Sequence, residues 1–107
     1  MSGTDFYYAP QADLAKKLAL LAPGTSPKKV FFANSGTESV EAAFKLARYH
    51  TKRKQIISFF GGFHGRTMGA LSLTASKTIQ RKGFDPLIPG VSHAPFGNCY
   101  RCPVNKT

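Results

Sequence analysis

The apolar positions change period along the chain, and each period predicts an element. Over residues 10–22, Leu14, Leu18 and Leu21 recur at helical spacing while Lys16 and Lys17 fall elsewhere around the axis, so a helix is predicted there. Pro23-Gly24 ends it. Val30-Phe31-Phe32-Ala33 is a short, continuously apolar run between polar turn residues, the pattern of a strand buried on both faces. A second helix is predicted from Ser35 to about His50. Its apolar stripe is Val40, Ala43, Phe44 and Ala47, with Glu41, Lys45 and Arg48 on the opposite side and Glu41 and Lys45 at a supporting four-residue spacing. Ser35 and Glu38 have the spacing of a capping box. Residues 55–60, with Ile56, Ile57, Phe59 and Phe60, read as a second strand, and residues 67–73 turn helical again. Strand, helix and strand within about 30 residues is the spacing of a βαβ unit, so residues 30–33 and 55–60 are predicted to run parallel. Beyond Gly83 the chain holds most of its prolines and shows no clear period. So long an irregular stretch fits poorly in a free-standing small domain.

Composition narrows the class. A chain of 107 residues is at most one small domain. A hydrophobic fraction of 42% argues against disorder. No apolar run approaches the ~18 residues a membrane span requires. Two cysteines are too few for a disulfide scaffold. The chain does not open with a basic start and an apolar stretch, so a cytoplasmic protein is expected.

Charge raises a different question. Fifteen Lys and Arg against five Asp and Glu give +10, carried entirely by residues 28–107. Such an excess suits a nucleic-acid partner, an anionic ligand, or a piece of something larger and less basic. The densest run, Lys52-Arg53-Lys54, follows the second helix, where cations suit the negative pole of the helix dipole. The aromatics fall mostly inside apolar runs rather than among the bases, which disfavours a small basic nucleic-acid-binding module.

Two loops carry candidate chemistry. Asn34-Ser35-Gly36-Thr37 lies between a strand pattern and a helix start, where unpaired backbone N–H groups attract anions. Gly36 lets a phosphate approach the backbone, and Ser35 and Thr37 add hydroxyl donors; the plainer alternative is that Ser35 only caps the helix. Phe63-His64-Gly65-Arg66-Thr67 follows the second strand pattern. Loops beyond the carboxyl ends of parallel strands share one face of the sheet, so both loops are expected to open together. Phe63 offers a flat face for a planar ring, Arg66 a fork for a carboxylate or phosphate, and His64 a hydrogen bond or a proton near neutral pH. Each also has an ordinary structural role open to it. Cys99-Tyr100-Arg101-Cys102 is a lone C-x-x-C in a proline-rich stretch, with only His93 nearby and no second pair. Plain loop cysteines, a site shared between chains and redox chemistry all stay open, and no metal is assigned.

The run Asn34-Ser35-Gly36-Thr37-Glu38-Ser39-Val40-Glu41-Ala42-Ala43, followed by Phe63-His64-Gly65-Arg66-Thr67, resembles the class III pyridoxal-phosphate-dependent aminotransferases, in particular the 4-aminobutyrate and acetylornithine/ornithine group. Asn98-Cys99-Tyr100-Arg101-Cys102-Pro103 is similar to 4-aminobutyrate aminotransferase-like members. The resemblance implies an α/β fold: residues 1–107 would be part of the large domain of the type I pyridoxal-phosphate-dependent transferase fold, with mostly parallel strands and flanking helices. It implies pyridoxal 5'-phosphate as cofactor, with Ser35, Gly36 and Thr37 at its phosphate, Phe63 stacked on its ring, and His64 beside it. Arg66 would bind a substrate carboxylate. It implies amino-group transfer from an amine or amino acid to a 2-oxo acid, in a homodimer, with no nucleic acid and no membrane. Racemases and aminomutases share the family and remain an alternative, as does an α/β fragment with no ligand. None of the ten lysines sits in the family's Schiff-base motif, so residues 1–107 alone are expected to be inactive.

Overall fold

The structure, a computed structural model, describes residues 6–105. The chain divides into two compact units, residues 1–34 and residues 35–107. In the first, helix α1 spans Ala9–Leu21, with a proline in its first turn, where the missing N–H is no loss. Its least exposed positions are Gln11, Ala15 and Ala19, whereas Leu14, Leu18 and Leu21 are exposed. The expected leucine stripe is therefore not the covered face. Gln11, Ala12 and Ala15 instead line a cavity of about 640 Å³ together with Phe6, Val30 and Phe32.

Residues 30–33 do not form the expected strand: among the described residues they pair with no ladder. An apolar run states that a segment can be buried; only a neighbouring backbone makes it a strand.

The second unit carries the ordered core. Helix α2 spans Gly36–Thr51, with Ser35 in extended conformation as its N-cap. Lys52 ends it with φ of 59°, and its Nζ lies 4.1 Å from the centre of the Tyr49 ring, so the basic run begins as a helix end. Strand β1, Ile56–Phe59, pairs in parallel with β2, Val91–Ala94, in the register Ile56↔Val91 to Phe59↔Ala94. The parallel crossover is thus one step later than the sequence pattern suggests. It runs from β1 through α3, Met68–Leu73, to a strand inside the proline-rich stretch expected to be irregular. Four residues with only two strongly apolar positions are too short to show a period, which is why β2 is invisible in the pattern.

α3 is the centre of the unit. It packs against α2 and both strands, and Gly69 to Leu73 are all buried. Phe44 of α2 joins Ala70, Leu71 and Leu73 in the core. The buried hydroxyls are hydrogen-bonded: Ser58 Oγ donates to the Leu73 carbonyl at 2.7 Å, and Ser72 Oγ donates to Met68 O at 2.7 Å while accepting from Ile88 N at 2.9 Å. The face of α2 also differs from expectation. Ala43 and Ala47 are exposed, while Glu41 and Arg48 turn inward. Arg48 lies over the Phe44 ring at 4.3 Å and donates to the Pro89 carbonyl at 2.7 Å. Both side chains reach polar backbone on the neighbouring segment, and that outweighs their hydropathy.

Candidate functional site

The first loop is organised by its cap. Ser35 Oγ accepts from Glu38 N at 3.3 Å and donates to Glu38 Oε2 at 3.0 Å, and the Ser35 carbonyl accepts from Ser39 N at 3.0 Å. The next two amides, of Gly36 and Thr37, take no hydrogen bond among the described residues. They are the unpaired donors of a 16-residue helix, at its positive pole.

The second loop is held from below by Thr74, which is fully buried. Its Oγ1 accepts from His64 N at 2.9 Å and lies within donating distance of Gly65 O at 3.0 Å and Ala70 O at 3.1 Å. Ser58 gives its proton to Leu73, so it can only accept from His64 Nε2, 3.3 Å away. His64 Nε2 therefore carries a hydrogen and serves to anchor the loop. The two loops touch where Gly65, at φ of +134°, lies against Thr37. A β-carbon at Gly65 would run into the Thr37 hydroxyl and stand 2.6 Å from Thr37 Cβ.

This approach makes one open cavity of about 630 Å³, lined by Gly36, Thr37, Val40, Phe63, His64, Gly65, Arg66 and Thr67. It unites five of the six residues singled out in the sequence. Ser35 is absent from the lining. Phe63 is 53% exposed, so its ring is no core residue. Arg66 is exposed and has neither a hydrogen bond nor an ion pair among the described residues.

Without a ligand, both expected hydroxyl donors are engaged within the protein. The Ser35 proton goes to Glu38. Thr37 Oγ1 lies 2.9 Å from Thr67 Oγ1, which itself donates to Glu41 Oε1 at 2.5 Å. A carboxylate only accepts and Thr67 has one proton, so Thr37 donates to Thr67. The loop's free donors are its backbone amides.

Glu41 is the residue the sequence pattern misplaced. Burial raises its pKa, but hydrogen bonds from Thr67 and from the Ala70 and Gly69 amides, with the Lys45 charge, outweigh burial and hold it below the ordinary carboxylate value. Ala70 N donates to its Oε1 at 3.0 Å. The signal was present: Thr37 and Glu41 are four apart and share a helix face, so a residue in line with the loop was readable as its support. Cys99 and Cys102 border a separate cavity with Pro95, Gly97, Asn98, Pro103 and Val104. Asn98 Oδ1 accepts from Tyr100 N and Arg101 N, which shapes this turn. His93 donates from Nε2 to the Leu73 carbonyl at 3.2 Å, and no group of three metal-ligating residues occurs among the described residues.

A helix start with free amides, an aromatic ring and a guanidinium therefore share one cavity in an α/β unit that carries a parallel strand pair. The sequence matches the aminotransferase class-III family over residues 1–107, and the chain belongs to that family. It is 54% identical over 93 residues to an acetylornithine aminotransferase of Methanopyrus kandleri, covering 87% of this chain and 23% of that protein. It is 46% identical over 100 residues to a probable 4-aminobutyrate aminotransferase of Bacillus subtilis, covering 94% of this chain and 23% of that protein. It is 41% identical over 102 residues to an isoleucine 2-epimerase of Lentilactobacillus buchneri, covering 95% and 23% respectively. Among solved structures, an omega transaminase from Pseudomonas jessenii in complex with PMP superposes with a TM-score of 0.78 at 33% identity, covering 94% of this chain and 23% of that one. The chain therefore spans about a quarter of the length of the relatives it matches.

Proposed function

We propose that this chain is part of the large, cofactor-binding domain of a pyridoxal 5'-phosphate-dependent aminotransferase, which moves an amino group from an amine or amino acid, such as 4-aminobutyrate or acetylornithine, to a 2-oxo acid. The observation that carries the reading is the single cavity where the Gly36 and Thr37 amides, the exposed Phe63 ring and the unpaired Arg66 meet. The residues fit the cofactor: a β-carbon at Gly36 would meet nothing within 4 Å, so a phosphate has room to reach the backbone. The bound cofactor supplies the electron sink for bond cleavage next to the substrate nitrogen.

In this reading the Gly36 and Thr37 amides hold the phosphate, Phe63 covers the ring, and His64 keeps Phe63 and Arg66 in place through Ser58. Arg66 pairs with the substrate carboxylate. Ser35 acts through its cap, by fixing the direction of the amides. Among the described residues no lysine lines the cavity, and residues 1–107 alone are inactive in this proposal. The whole protein is proposed to be a cytoplasmic homodimer. The epimerase relative favours one second reading, racemisation at the same cofactor site.

The test is titration of the full-length apo-protein with pyridoxal 5'-phosphate, followed by its absorbance, then assay with amino donors and a 2-oxo acid. Phe63→Ala is expected to weaken cofactor binding. Arg66→Gln is expected to raise KM for a carboxylate substrate and leave cofactor binding intact. Absence of cofactor uptake would remove the reading, and loss of substrate chirality without amino transfer would select the epimerase.

A further inference from the structure

Glu41 stands outside the cavity, yet it touches both walls. It projects from α2, one turn beyond Thr37. Its Oε1 accepts from the Thr67 hydroxyl at 2.5 Å and from Ala70 N at 3.0 Å. Thr67 is the N-cap of α3 but makes no cap bond with its own side chain, so Glu41 supplies from another helix the acceptor that α3 lacks. Gly69 is shaped to that carboxylate, since an added β-carbon would collide with both its oxygens. Gly65 is shaped in the same way to Thr37. The hydroxyl pair Thr37–Thr67 closes a chain from one loop to the other. Because the carboxylate takes the Thr67 proton, the whole chain has one direction. Thr37 therefore gives its proton to Thr67, which leaves the backbone amide as its free donor beside the cavity.

We infer that Glu41 is a positioning residue for the cofactor's phosphate: through Thr67 and Thr37 it clamps the Phe63–Thr67 loop onto the start of α2 and directs the Thr37 amide. It touches neither the phosphate nor the ring. The inference rests on the cofactor reading above, and it assigns a role to a residue that the cavity does not contain. It also explains why an acidic side chain sits one turn from an anion site. The carboxylate stays ionised and directs its oxygens at donors from Thr67, Gly69 and Ala70, so it organises the loops from outside the cavity.

The test uses the full-length apo-protein and reads cofactor affinity, with inorganic phosphate as a competing probe, rather than turnover. Glu41→Gln keeps an oxygen for Thr67 and Ala70 and is expected to bind within about threefold of the unsubstituted protein. Glu41→Leu and Thr67→Val are each expected to weaken both pyridoxal 5'-phosphate and inorganic phosphate at least about fivefold, the size of one ordinary hydrogen bond. The double variant is expected to be no weaker than the weaker single, because both break one chain. If Glu41→Leu fails to fold, Thr67→Val against Glu41→Gln decides. Unchanged affinity in Thr67→Val, or losses that add in the double variant, overturns the clamp. A clamp without function would lower thermal stability and leave both affinities alone. Failure of the unsubstituted protein to take up cofactor defeats the cofactor reading itself, and the inference with it.

Discussion

Gly65→Ala is the sharpest perturbation of the contact on which the site depends. At φ of +134° the backbone is outside the wells open to an L-residue, which costs about 1–3 kcal/mol. The new methyl would also stand 2.6 Å from Thr37 Cβ and 3.0 Å from Ala70 Cβ, where carbons prefer about 3.5–4.0 Å. Thr37 Cβ is fixed to the α2 backbone, so no rotamer change relieves it. The loop must back away from α2 by about 1 Å, at a further cost of about 1–3 kcal/mol. Together this is roughly 2–6 kcal/mol. A displacement of about 1 Å between positioned groups is also enough to cost about a hundredfold in function. The full-length variant is expected to melt lower as apo-protein and to bind pyridoxal 5'-phosphate at least about tenfold more weakly. Gly36→Ala is the control. Its β-carbon meets nothing within 4 Å and its φ is ordinary, so stability should hold while the methyl obstructs the phosphate. A Gly65→Ala protein within about 0.5 kcal/mol of the unsubstituted one, with unchanged affinity, would refute the close approach of the two loops.

Thr74→Val preserves shape and deletes the hydroxyl that joins His64 N, Gly65 O and Ala70 O. Leaving these buried groups unpaired is expected to cost about 1–3 kcal/mol in thermal or chemical denaturation, and a neutral result would mean that water replaces the hydroxyl. Glu41 predicts an acid limb. Its folded pKa lies below its unfolded value near 4.5, so its contribution is complete above that value and is lost as pH falls through the lower folded pKa. Glu41→Gln should flatten the stability profile in that window, and a profile identical to the unsubstituted protein would show that the carboxylate is not held in its ionised form.

Both loops and nearly all the helices were legible in the sequence because their signals are local. A capping Ser35, a glycine at the start of α2 and the stripe reaching Phe44 are set within a few residues, and the structure keeps α1, α2, β1 and α3 within a residue or two of their expected bounds. The two motifs also carried the family. Of the fifteen bases behind the net charge of +10, Arg48 and Lys52 are engaged with Phe44, Pro89 and Tyr49.

What only the tertiary structure decided is pairing and proton direction. β1 chose β2 rather than residues 30–33, because a ladder is selected by which backbone lies alongside, and hydropathy does not encode that. Glu41 and Arg48 turned inward because acceptors and donors on distant segments reached them, 29 and 41 residues away along the chain. The Thr37 hydroxyl is engaged for the same reason, by Thr67 thirty residues further along the chain. A side chain's chemistry is written at its own position, but the direction of its hydrogen bond is set by the group that folding places opposite it.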